Sequence, residues 1–188
     1  MKMELRPLDL DGVIEIIPKK FGDARGYFAE TYSRARFQEA GIAQDWLQDN
    51  QSFSREAGVL RGLHFQVAPF AQDKLIRVLR GSILDVAVDI RKDSPTFRRW
   101  VSCTISAAAF NQLLVPKGFA HGFVTLETET EVLYKVSAPY SAACDRSIFY
   151  ADPAIGIKWP LPATGAILSD KDRKAPQLAD IIADISFD

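Results

Sequence analysis

The sequence predicts an all-β protein, a double-sheet jelly roll or a barrel, and three observations carry that prediction. Ten prolines and eleven glycines are scattered through 188 residues, so turn signals recur at short intervals. Between them apolar and polar residues alternate in short runs, as strands with two different faces require. Helical spacing appears in only two places, near residues 33–40 and after Pro176. Such folds have an open-ended interior whose inward side chains can line a small-molecule pocket.

Taken in order, alternation predicts strands over residues 13–17 and 27–32, then the short helix over 33–40, closed by Gly41. Residues 74–80 read as a strand turned by Gly81-Ser82 into the clearest strand of the chain, Ile83-Leu84-Asp85-Val86-Ala87-Val88-Asp89-Ile90. Leu84, Val86, Val88 and Ile90 share one of its faces, while Asp85 and Asp89 share the other with Ala87 between them. Further strands are expected over 99–105, 112–115, 122–126, 131–136 and 147–150. Ser169-Asp170-Lys171-Asp172 looks like a helix start with its capping serine. No linker, charge block or internal repeat marks a second domain, so residues 1–188 are expected to form one.

Bulk properties narrow the class. A formal net charge of -1 argues against a nucleic-acid binder, which carries a basic excess. The opening Met-Lys-Met-Glu-Leu-Arg-Pro has no apolar stretch like a signal peptide, and no run is long enough to span a bilayer. Cys103 and Cys144 fit neither a metal-type Cys-x-x-Cys nor a disulfide framework. A soluble, cytoplasmic protein without a membrane or nucleic-acid partner is the expectation.

Chemistry centres on the two histidines, His64 and His121. Each lies near glycine, which lets backbone or ligand come close. Histidine is the side chain whose ordinary pKa lies nearest neutrality, so a chain with two offers few choices of base. A metal site of two imidazoles and a carboxylate is one reading, although there is no His-x-His pair. The better-supplied reading is a metal-free acid/base site. His64 could take a proton if a carboxylate held its ring, and Asp85, Asp89, Asp170 and Asp172 are all candidates. Lys74 could stabilise a developing oxyanion, and Tyr134 could deliver a proton from the other side. Arg25 and Arg61 beside glycines suit phosphate contacts, and with no Gly-rich phosphate loop any phosphate would be held by side chains. For each residue taken singly, a core or surface role is the plain alternative.

Several segments resemble, in order, the dTDP-4-dehydrorhamnose 3,5-epimerase family. They include Phe21-Gly22-Asp23-Ala24-Arg25-Gly26-Tyr27-Phe28, Gln48-Asp49-Asn50-Gln51-Ser52 and Leu60-Arg61-Gly62-Leu63-His64-Phe65-Gln66. Pro116-Lys117-Gly118-Phe119-Ala120-His121-Gly122-Phe123, Leu133-Tyr134-Lys135 and Leu168-Ser169-Asp170-Lys171-Asp172 extend the likeness over nearly the whole chain. The resemblance implies a cupin-type jelly roll with short peripheral helices, a homodimer with neither cofactor nor metal, and a nucleotide-sugar substrate. It implies epimerisation of dTDP-4-dehydro-6-deoxy-D-glucose at C3 and C5. His64 becomes the base, Asp172 its orienting carboxylate, Tyr134 the acid and Lys74 the partner of the C4 oxygen. Arg25, Glu30, a turn at Gln48, Asp49 and Asn50, Arg61, His121, Tyr140, Asp145 and Lys171 fall where the family binds the nucleotide sugar, some reaching a neighbouring subunit's site.

Three departures stand out. Asp145 replaces a glutamate, Phe65 replaces a tyrosine, and the loop from Trp159 to Leu168 is one residue longer, so the Asp172 match depends on placing that gap before Leu168. Rival readings are a single-site epimerase of a related 4-ketosugar, a metal-dependent cupin oxygenase and a non-enzymatic nucleotide-sugar-binding jelly roll. The last gives no reason for His64, Asp172, Lys74 and Tyr134 to occur together.

Overall fold

Two facing antiparallel sheets frame the computed structural model, which describes residues 3–187. In chain order the strands are β1 (Glu4–Pro7), β2 (Ile14–Ile17), β3 (Lys20–Asp23), β4 (Gly26–Ala29), β5 (Gln48–Ser54), β6 (Leu60–Gln66) and β7 (Lys74–Arg80). They continue as β8 (Ser82–Asp89), β9 (Trp100–Ser106), β10 (Gln112–Val115), β11 (Phe119–Thr125), β12 (Thr130–Val136) and β13 (Asp145–Ser147). Helix α1 (Arg34–Glu39) and the short α2 (Asp170–Arg173) and α3 (Leu178–Ile181) lie at the periphery. One sheet runs β1-β2-β10-β7-β12-β5 and the other β13-β6-β11-β8-β9, with β3-β4 a separate hairpin. From β5 to β13 the chain crosses from sheet to sheet at every step except the β8–β9 hairpin. This is the double-stranded jelly roll of the cupin type.

Strand β8 shows why both sheets can be covered. Its Ile83 and Ala87 enter the core between the sheets with Ile76, Val78, Leu113 and Phe123. Its Val86 and Val88 face outward, where Leu178 and Ile185 of the C-terminal segment cover them. On the other side Phe37 and Ile42 cover Ile16, Leu75 and Leu114. Each such large apolar side chain contributes roughly 1.5–3 kcal/mol on burial.

Asp89, on the inward face with Asp85, is fully buried and spoken for. It accepts from Arg91 Nε at 2.9 Å, Ser94 Oγ at 2.5 Å and Thr96 Oγ1 at 2.6 Å. Burial alone would raise its carboxyl; these donors win and hold it down at about 2. Asp89 therefore ties the end of β8 to the following loop and is removed as a partner for His64.

Three expectations are corrected. The strand expected over 147–150 is β13, ending at Ser147; Ile148 still exchanges backbone bonds with Leu63, but Phe149 N turns to Pro176 O at 2.7 Å. The strand expected over 27–32 stops at Ala29. The turn expected at residues 48–50 is the start of β5, a strand whose polar composition hid it because its inner face borders a cavity rather than the core.

Candidate active site

A β-bulge builds the site. Opposite β11, His121 pairs with His64 and Phe123 pairs with Arg61, so three steps along β6 match two along β11. The extra residue resets the alternation: Arg61 and His64 both line the cavity, while Leu63 between them packs into the outer core. Gly62 makes this possible, with φ 133 and its α-carbon against Gly122. A Cβ added there would lie 2.5 Å from Gly122 Cα.

The cavity, about 770 Å³, lies between the sheets and is lined by both. His64 Nε2 stands 2.5 Å from Asp172 Oδ1. Asp172 comes from α2, outside both sheets, and is held there by its cap: Ser169 Oγ donates to Asp172 Oδ2 at 2.8 Å and accepts from Asp172 N at 3.1 Å. Burial pushes the Asp172 carboxyl up, but the hydrogen bond and charge of His64, with Ser169 and Lys171, leave it below the ordinary range. Backbone bonds Leu60 N to Ile167 O at 3.0 Å and Ile167 N to Gly58 O at 2.9 Å hold the segment leading into α2.

Lys74 and Tyr134 come from the facing sheet, on β7 and β12. Lys74 is buried and donates to the His64 carbonyl at 3.1 Å. Burial brings its pKa down to about 8 against the opposing pull of Asp85 and Asp145, with Lys171 pushing the same way as burial. The Tyr134 phenol is raised, chiefly by burial, so it keeps its proton. Arg61 donates to Phe53 O at 3.1 Å and Ser54 Oγ at 3.3 Å, leaving Nε buried without a partner among the described residues. At the mouth Lys171 pairs with Asp145, which also accepts from Tyr140 Oη at 3.4 Å. No group of three or more His, Cys, Asp or Glu side chains converges as a metal-ligand set among the described residues.

A sequence model of dTDP-4-dehydrorhamnose 3,5-epimerase matches residues 7–180. A dTDP-4-dehydrorhamnose 3,5-epimerase of Sinorhizobium fredii is 48% identical over 180 residues, 96% of this chain and 92% of its own. This chain belongs to the dTDP-4-dehydrorhamnose 3,5-epimerase family. Solved structures agree. The Bacillus anthracis epimerase, with TDP and PPi bound, superposes with a TM-score of 0.91 at 47% identity, covering 94% of this chain and 100% of that one. The Legionella pneumophila enzyme, in complex with dTDP-4-keto-L-rhamnose, gives 0.94 at 41% identity, covering 100% and 99%.

Of the epimerase-family positions read from the sequence, His64, Asp172, Tyr134, Lys74, Gln48, Asn50, Arg61, His121, Tyr140, Asp145 and Lys171 border one cavity. Three do not. Asp49 points to the other face of β5 and pairs with Lys135 at 2.9 Å, because neighbours in a strand cannot share a face. Arg25 pairs with Asp23 at the tip of the β3–β4 hairpin, and Glu30 pairs with Arg36 beside α1. Phe65 packs its ring against Phe187 in the outer core and also borders the cavity. The polar residues Ser52, Gln66, Gln72 and Ser169 also border the cavity and are not among those positions. Ser169 reads from the sequence only as a helix cap, and Ser52, whose buried Oγ has no partner among the described residues, follows Asn50 at the period-two spacing that reveals it.

Proposed function

We propose that this chain epimerises dTDP-4-dehydro-6-deoxy-D-glucose at C3 and C5, yielding dTDP-4-dehydro-L-rhamnose for dTDP-L-rhamnose biosynthesis. It does so without a cofactor, as a cytoplasmic homodimer with one epimerase domain per chain. The observation that carries the reading is the His64–Asp172 contact in a cavity whose opposite wall supplies Lys74 and Tyr134.

The chemistry follows from the ketone. A carbonyl at C4 acidifies the hydrogens on both C3 and C5, so one base beside it can serve both centres. His64 Nε2–H donates a hydrogen bond to the Asp172 carboxylate, which leaves the Nδ1 lone pair to take the proton, and Asp172 then stabilises the imidazolium. Charge moves onto the C4 oxygen, where the Lys74 ammonium meets it; such a contact in a dry pocket is worth about 3–4 kcal/mol. Tyr134 returns a proton from the facing wall, and delivery on the face opposite the base is what inverts the carbon. Arg61 and Lys171 would neutralise the diphosphate, with Gln48, Asn50, His121, Tyr140 and Asp145 holding the rest of the nucleotide sugar.

Arg25 and Glu30 take their place in a dimer. The β3–β4 hairpin pairs with neither sheet, touching its own chain where Tyr27 meets Phe110 edge-on, and exposes Tyr27 by 57% and Phe28 by 68%. In this proposal it reaches the partner's cavity, which gives both residues a substrate that they lack within one chain. Asp49 is assigned no substrate contact.

Proton NMR of dTDP-4-dehydro-6-deoxyglucose with the enzyme in deuterated buffer tests the reaction. Loss of the hydrogens at both C3 and C5 is expected, with a rhamno product trapped by a reductase. Exchange at one carbon would leave a single-site epimerase, and exchange at neither would overturn the proposal.

A further inference from the structure

The second histidine of the chain has a carboxylate of its own, and the reaction above gives that carboxylate no part. His121 Nε2 lies 2.8 Å from Oδ1 and 3.0 Å from Oδ2 of Asp85. Asp85 is fully buried, and 8% of the His121 side chain is exposed. A carboxylate only accepts, so Nε2 carries the hydrogen of this bond. The other ring nitrogen, Nδ1, has no partner among the described residues, and His121 borders the cavity.

Asp85 also sits among the groups that face Lys74. These are Asp85 itself from β8, His121 from β11, Asp145 from β13 and Lys171 from α2, with the His64 carbonyl of β6 on Nζ. Asp85 and Asp145 are the anions of that set.

We infer that Asp85 is a positioning residue of the epimerase site: it fixes His121 with Nδ1 presented as a hydrogen-bond acceptor for a substrate hydroxyl, and it supplies buried negative charge beside Lys74. The inference rests on the proposed epimerase reaction and gives that site a selection rule. Burial lowers the His121 pKa against the pull of Asp85, with Lys74 and His64 adding to the lowering, so the ring stays neutral and accepts rather than donates. A 4-ketosugar with a hydroxyl at the matching carbon satisfies Nδ1. A deoxy analogue leaves it unpaired in a dry wall and is rejected.

The chain has two histidines, so a protein labelled with 15N-histidine gives two ring systems, and His64→Asn assigns them. In the unaltered protein His121 is expected as the neutral tautomer with hydrogen on Nε2 from pH 6 to about 9. Hydrogen on Nδ1, or an imidazolium at neutral pH, overturns the inference with no variant needed. In Asp85→Asn the tautomer is expected to change and kcat/KM to fall about 10- to 100-fold, a usual cost of losing a group that orients a working side chain. The alkaline limb of the pH profile should also move to lower pH, because Lys74 loses an anion. A merely structural role would move neither tautomer nor limb, and either one unmoved overturns the inference. The ring spectrum needs no turnover. Absence of hydrogen exchange in the unaltered enzyme would therefore sink the epimerase reading by itself.

Discussion

His64 and His121 face each other across β6 and β11, and each commits Nε2 to an aspartate. Water decides which one is suited to be a base. The His64 side chain is 32% exposed and open to the cavity; that of His121 is 8% exposed, and burial holds it neutral. The same balance governs Lys74. Burial lowers its pKa from 10.5 to about 8, so holding the ammonium inside the fold costs roughly 3 kcal/mol at neutral pH. The sign follows: the cost is fully present below pH 8, where both states hold the proton, and shrinks as pH rises from about 8 toward 10.5, where the unfolded chain loses it too. Turnover should run the other way, falling above about pH 8 as the enolate loses its counter-charge. Lys74→Met should therefore abolish turnover yet leave the fold more stable, by up to about 3 kcal/mol in urea melts at pH 7. A variant that is both inactive and less stable would show that Lys74 holds Asp85 and Asp145 in the fold more than it serves the substrate.

At the scale of the element, the bulge in β6 is where the site is made. Gly62→Ala would place a methyl 2.5 Å from Gly122 Cα at φ 133. Strain and overpacking together should cost about 2–4 kcal/mol. Either the protein fails to fold, or His64 swings off Asp172 and turnover falls at least 100-fold; unfolding curves and exchange at C3 separate the two. Full activity would mean that the strand accommodates the methyl without losing the bulge. The strand itself was hard to read from sequence, because Gly62 interrupts the apolar pattern and the bulge breaks the period on which strand recognition depends. β5 escaped for the opposite reason: Gln48, Asn50 and Ser52 alternate regularly, but they face a cavity and carry no apolar signal. β8, which sends apolar side chains into the cores on both of its faces, was legible at once. Ser169-Asp170-Lys171-Asp172 carried two true meanings, since the serine that caps α2 also holds the carboxylate paired with His64.

At the scale of the whole molecule, the residue set read from the sequence divides by what one chain can reach. Eleven of those positions border the cavity, because alternation and the bulge point them inward; Arg25 and Glu30 ride on the hairpin and beside α1, and sequence order says nothing about which copy's cavity they serve. If the hairpin serves the partner, two differently crippled chains should repair each other. Arg25→Ala removes the hairpin contact and His64→Asn removes the base, and each variant alone should be strongly impaired. In a mixed dimer the Arg25→Ala chain keeps its own His64 and receives an intact hairpin from its partner, so one of its two sites is whole. Mixed dimers isolated with two different tags should then recover about half the turnover of the unaltered dimer, following from one intact site in two. If each hairpin folds over its own cavity, every site in the mixture carries one defect and nothing is recovered. Activity no higher than the better single variant would place Arg25 within its own subunit and remove the exchange of hairpins from the proposed assembly.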